Sequence, residues 1–135
     1  MSNRPRSRLV IFGNLLICAV FSAGGQSQDR NLTLDRQFQS AVAQYDAGSY
    51  AEAASQLESL LPHAPKSFEL RELLGLAYAA QSKDTKAIEQ LQIAVRLKPD
   101  SAAATTNLAT CLFHLGKFSE AEEQFRKAME LAPEG

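Results

Sequence analysis

The chain has 135 residues, 45% of them hydrophobic, with 14 basic and 15 acidic residues and a net charge of −1. That length and composition allow one small domain with a modest core. Once Arg4, Arg6 and Arg8 are set aside, 11 of the 14 basic residues remain against 15 acidic ones, a balance of −4 with no basic stripe, which argues against a nucleic-acid or anionic-membrane partner for the folded part.

Residues 1–8 hold three arginines and no acid, and Leu9 to Phe21 is apolar except for Gly13 and Asn14. Small residues follow in Ser22-Ala23-Gly24-Gly25. A basic start, an apolar run and a small-residue exit predict a secretory signal peptide over 1–25, cleaved after Gly24 or Gly25. The alternative is an uncleaved membrane anchor over 9–23, for which the apolar run is short. Leu15-Leu16-Ile17-Cys18 looks superficially like a lipoprotein box, but the bulky Ile17 beside the cysteine argues against lipidation. Cys18 and Cys111 fall in different parts of the chain, so processing leaves no disulfide pair, and no metal spacing exists. Gln26 to Thr33 is polar and aperiodic and reads as a linker. It contains a glycosylation sequon, Asn31-Leu32-Thr33. Thr33 reads equally well as a cap for the helix that follows.

From Leu34 on, the sequence falls on itself when shifted by 34 residues: Pro65, Pro99 and Pro133 share that step, as do Ala53, Ala87 and Ala121, the set Leu57, Leu91 and Phe125, and the set Leu60, Ala94 and Ala128. The turn residues Gly48, Ser82 and Gly116 keep it too. Such a period with two amphipathic helices per unit is the signature of a stacked helical repeat. The units run over 34–67, 68–101 and 102–135.

In the first repeat, helix A is expected over Asp35 to Ala47, with Phe38, Ala41, Val42 and Tyr45 on one face. Gly48 ends it. Ser49-Tyr50-Ala51-Glu52 reads as a capping box. Helix B carries Ala53, Leu57, Leu60 and Leu61 and stops before Pro62 and Pro65. In the second repeat Leu74, Gly75 and Tyr78 share a face. Gly75 allows a close approach by helix B, whose small residue is Ala87. Leu91 and Ala94 continue the seam, and Pro99 ends the unit. In the third, helix A spans about Ser101 to Leu115 with Leu108, Ala109 and Leu112 inward. Gly116 breaks it, and helix B starts near Phe118 and carries Ala121, Phe125, Ala128 and Met129 to Pro133. Three hairpins of this size need stacking to bury a core.

The middle unit resembles the tetratricopeptide repeat (TPR) family, whose pattern of Leu-Gly, Tyr, Ala, a bulky apolar residue, Ala and Pro falls on Leu74, Gly75, Tyr78, Ala87, Leu91, Ala94 and Pro99. It departs from that pattern at Arg71, where an aromatic is usual, and at the turn, where Ser82 replaces Gly and Asp84 an aromatic. The resemblance covers Leu34 to Gly135. It implies an all-α fold, a right-handed α-solenoid of six helices in three repeats, preceded here by the apolar N-terminal helix. Ala41, Ala53, Gly75, Tyr78, Ala87, Ala109 and Ala121 would be the repeat-packing residues.

The resemblance also implies a concave groove lined by the A helices. Carried over, the groove takes Phe38, Val42, Tyr45 and Asp46 from repeat 1, and Glu69, Glu72, Leu76 and Ala80 from repeat 2. Repeat 3 gives Thr106, Asn107, Thr110 and Phe113, with His114 at the rim. Some chaperone-binding relatives clamp a peptide carboxylate with Lys, Asn and Arg, but the matching positions here are Phe38, Val42, Leu73, Ala103 and Asn107. Only Asn107 is polar, so that clamp is absent. An apolar groove with an acidic flank suits an extended or helical segment with aliphatic anchors and a basic residue.

No catalytic or metal constellation rises from the sequence. His63 sits between prolines, and neither it nor His114 has ligands at metal spacing. Cys111 with His114 three residues on is a formal thiolate pair, yet position 111 falls on the packed side of its helix, where an inert thiol is expected. Glu120, Glu122 and Glu123 are accounted for by the dipole of the helix they open. There is no phosphate loop or nucleophile elbow. The expectation is an exported, non-enzymatic protein with no cofactor, no metal, no nucleic acid and no small-molecule substrate. It would be periplasmic or secreted, or tethered by its N-terminus. It would act as an adaptor or assembly factor that binds a segment of another protein in the concave groove. The last helix should present Phe125, Ala128 and Met129 without cover, and the alternative function is a self-associating scaffold that uses this helix through Phe125 and Met129.

Overall fold

The structure, a computed structural model, describes the backbone of residues 6–132 and the side chains of residues 26–132. Six helices follow one another: α1 (Arg6–Asp46), α2 (Tyr50–Leu60), α3 (Phe68–Ala80), α4 (Asp84–Leu97), α5 (Ala102–His114) and α6 (Phe118–Leu131). There is no strand among the described residues. The chain divides into two compact units, Met1–Arg36 and Gln37–Gly135.

In the first unit the stretch 26–33, expected as a linker, is helical within α1. Thr33 caps nothing there. Its hydroxyl donates to the Asp29 carbonyl at 2.8 Å, one turn back inside the same helix, the usual outlet for a mid-helix threonine. The side chains of the expected signal or anchor segment, 1–25, lie outside the described residues. No helix among the described residues is long and apolar enough to cross a membrane.

The second unit is a stack of hairpins. α3 packs on α4 and α5 on α6, α2 packs against α3 and α4 against α5, and α3 also touches α5. α3 and α5 thus each serve their own hairpin and the B helix before it, so the core runs continuously from α2 to α6. Ala41, Ala53, Leu57, Leu74, Ala87, Leu91, Ala94, Ala104 and Ala109 are fully buried. The approach is closest at Gly75, where a Cβ would lie 2.6 Å from Leu91 Cγ and 3.4 Å from the Ala87 carbonyl oxygen. Leu91 is itself fully buried, so it has little room to yield.

Two kinds of corner alternate. At the A-to-B corners the helix closes with backbone bonds, joined at the α3 end by the Gln81 side-chain amide, which donates to the Ala77 carbonyl at 2.9 Å. The amides of Ser49, Lys83 and Lys117 donate to the carbonyls of Gln44, Tyr78 and Leu112 at 2.8, 2.9 and 2.9 Å. The residue before each is left-handed, with φ of 81° at Gly48, 56° at Ser82 and 75° at Gly116. This is the 6→1 closure that glycine favours. Ser49, Lys83 and Lys117 then begin the next helix with ψ near 60° and no side-chain cap. The expected capping box at Ser49 is therefore not formed. Its backbone is spent ending α1, and its ψ of 63° lies outside the extended region in which a cap hydroxyl aims at the first-turn amides. The caps sit at the B-to-A corners instead. Ser67 and Ser101 are extended there and accept from the Leu70 and Ala104 amides, each at 3.2 Å. Past the last helix Ala132 is extended, as a residue before proline should be.

Candidate protein-binding groove

The A helices carry the candidate groove side chains at helical spacing from the packed seam. On α1, Phe38, Val42 and Tyr45 are half-buried and Asp46 is exposed. The Tyr45 ring meets Tyr50 of α2 edge-on at 5.1 Å, which fixes the end of that hairpin. On α3, Glu69 and Ala80 are exposed while Glu72 and Leu76 are half-buried. On α5, Thr106, Thr110 and Phe113 are exposed and Asn107 is half-buried. The Thr106 and Thr110 hydroxyls donate to the carbonyls of Ala102 and Thr106 at 2.8 and 2.9 Å. They are left with acceptor lone pairs and methyl groups for a ligand.

The electrostatics centre on α3. Burial pushes the Glu72 carboxyl up; Lys98 pulls it back down, and Glu69 raises it further. Lys98 is partly held elsewhere, with its ammonium 5.3 Å from the centre of the Phe68 ring. Glu72 makes no ion pair among the described residues. A half-buried, unpaired carboxylate beside apolar side chains is a place where a cation from outside gains most.

Other expected residues take different roles. Ala41, Ala53, Gly75, Tyr78, Ala87, Ala109 and Ala121 are all buried. The Tyr78 hydroxyl donates to Glu58 across the α2–α3 boundary, and burial and that carboxylate push it up to about 12. Arg71, at the position where an aromatic was expected, bridges instead of packing. It donates to the Pro65 carbonyl at 3.2 Å and to Gln90 of α4 at 2.7 Å. His114 lies 3.5 Å from Asp84 of α4, whose Oδ1 receives no hydrogen bond among the described residues. Cys111 is 2% exposed; burial, then the Asp84 carboxylate, push its thiol up to about 11, so it stays protonated and unreactive at neutral pH. No cluster of three or more His, Cys, Asp or Glu side chains is placed to hold a metal among the described residues.

At the far end of the stack the expectation of three uncovered residues on α6 needs correction. Ala128 is buried, at 5% exposure, against α5. Phe125 is half-buried and Met129 is 70% exposed. Two aromatics absent from that expectation join them. Phe118 is 61% exposed, and its ring meets Phe113 at 5.3 Å, edge-on. A partial signal for Phe118 was present in the repeat: two periods earlier its position holds the aromatic Tyr50, although one period earlier it holds Asp84.

The chain matches the family model of the tetratricopeptide repeat over residues 38–101 and 85–135. Superkiller complex protein 3 of Homo sapiens is 32% identical over 80 residues, 59% of this chain and 5% of that one. DnaJ homolog subfamily C member 3 of Rattus norvegicus is 26% identical over 129 residues, 95% of this chain and 26% of that one. The chain therefore spans a small part of the curated relatives it matches. Among solved structures, MamA from Desulfovibrio magneticus RS-1 superposes with a TM-score of 0.68 at 29% identity, over 70% of this chain and 54% of that one. The type III secretion translocator chaperone SycD of Yersinia enterocolitica superposes at 0.70 and 24% identity, over 73% of this chain and 75% of that one, and this shows a shared fold.

Proposed function

The chain belongs to the tetratricopeptide repeat family, a family of protein-interaction scaffolds, and from that premise we propose that it is an exported adaptor or assembly factor. It binds a segment of another protein along α1, α3 and α5, and performs no catalysis of its own. The observation that carries this reading is the company Glu72 keeps. Its carboxylate is half-buried and unpaired, with Glu69 acting on it from the same helix; Leu76 follows one turn on, and α1 carries the half-buried apolar Phe38 and Val42. That composition selects a segment with aliphatic anchors and one basic residue, either extended or helical. Side chains that already sit half-packed cost little to order on binding.

The test is fluorescence anisotropy with labelled peptides that carry leucines around a single lysine or arginine, and with the same peptides carrying glutamate instead. The basic series should bind and the acidic series should not. Glu72→Gln should weaken the basic series by about tenfold, the loss of one charge-assisted contact. Equal binding of both series would remove the groove chemistry argued here.

Export is part of the same proposal. Arg4, Arg6 and Arg8, the apolar run from Leu9 to Phe21 and the small residues Ser22 to Gly25 support it. The mass of the protein recovered from its native cell tests it: a mature chain starting at Gly25 or Gln26 supports cleavage, and an intact one tethering.

A further inference from the structure

α6 buries only Ala121 and Ala128. Its strip of Phe118, Phe125 and Met129 joins Phe113 of α5 around an open hollow of about 400 Å³, also lined by Ala121, Glu122 and Arg126. The internal repeat says what kind of partner this face does not suit. Glu122 stands where α2 has Ala54 and α4 has Ile88, and both of those are buried under the next hairpin. A helix docked on α6 as α3 docks on α2 would bury a carboxylate. The strips of α3 and α5 that make such contacts include the buried Leu70, Leu74 and Ala77, and Ala104, Leu108 and Cys111. The matching strip of α1 is Arg36, Ser40 and Ala43, all exposed. A second copy added head to tail would therefore meet α6 with a polar face.

The same residues suit a two-fold arrangement. Glu122 and Arg126 lie on one edge of the apolar strip and make no ion pair among the described residues. Place two α6 helices antiparallel about a two-fold axis near residue 124. Phe118 then faces Met129 of the other copy, and Glu122 faces Arg126, in both directions. The apolar and the charged pairs share one centre, and both charges sit on the same edge, as an isologous interface requires. We propose that α6 is the self-docking face of this protein, closing two copies into a dimer. The interface shares only Phe113 with the candidate groove.

Sedimentation equilibrium of the full chain over a concentration series tests this. The wild type should dimerise. Glu122→Arg and Arg126→Glu should each raise the dimer Kd at least about tenfold, because each sets like charges against one another. The double variant should return to within about threefold of wild type, the mark of two residues that meet across the axis. Phe118 is exposed, so Phe118→Ser should fold and weaken the dimer as well. A chain that stays monomeric, a dimer indifferent to the single swaps, a double variant that is not rescued, or assemblies that grow without closing would each overturn the proposal.

Discussion

Ser82 holds a left-handed backbone, φ 56°, at the corner where its counterparts one period away are Gly48 and Gly116. A residue with a Cβ pays about 1–2 kcal/mol for that conformation, against a smaller entropic cost for glycine in the unfolded chain. Ser82→Gly should therefore stabilise the protein by about 0.5–1 kcal/mol, read as a higher urea midpoint with an unchanged slope. Cys111 supplies a second residue-scale expectation. Its thiol ionises near 11 in the fold and at 9.0 in the ordinary case. Above pH 9 the unfolded chain loses a proton that the folded chain keeps, so the folded state binds more protons and stability falls as pH rises toward 11. Denaturant midpoints measured from pH 8 upward should show this decline, and Cys111→Ala should flatten its first part, below the range where Tyr78 contributes. At this scale much was legible. Gly75 announced a close approach because no other residue lacks a Cβ, and the contact with Leu91 lies where the pattern put it. The bridging role of Arg71 was not legible, since its partners Pro65 and Gln90 become neighbours only when the hairpin closes.

Among the elements, helix existence followed from apolar spacing, while capping did not. Any serine ahead of a helix looks like a cap in one dimension. What decides is the backbone angle of that serine, and the corner sets the angle. Ser49 is held by the bond that ends α1, whereas Ser67 and Ser101 are free to be extended. Ser67→Ala should accordingly cost about 1 kcal/mol, within the range for lost caps, and Ser49→Ala close to nothing. Paired thermal or urea melts would show the difference, and equal losses would contradict the assignment of the two corners. The continuation of helix through 26–33 was hidden for a related reason: polar residues lack the periodicity that reveals a packed face, yet nothing in Gln26 to Thr33 breaks a helix.

Across the whole molecule, stability in a stacked array is a sum over hairpins and the boundaries between them. α4 lies between two A helices and buries Ala87, Ile88, Leu91, Ala94 and Val95, whereas α6 buries Ala121 and Ala128 alone. Hydrogen exchange should find the slowest amides in α3 and α4 and the fastest helical ones of residues 37–132 in α6, when measured at concentrations too low for self-docking. Uniform protection along the array would mean that it opens as one unit. The period made this architecture readable in advance, because every seam position is written three times. The candidate groove rests on family likeness alone. Its residues point away from the seam and follow no repeat, so their character, acidic at α3 and apolar at α1, had to be taken one position at a time.

At the A-to-B corners, positions 49, 83 and 117 carry Ser, Lys and Lys, none of which caps a helix, and the fold asks little of those side chains beyond an exposed pair of Lys117 with Glu120 at 3.5 Å. They are blank spaces in the text, spaced at equal intervals along the stack. A dye, a tether or an altered charge written there would be carried by the protein without being read by its folding, which makes these three sites the natural rulers for watching one hairpin move against the next.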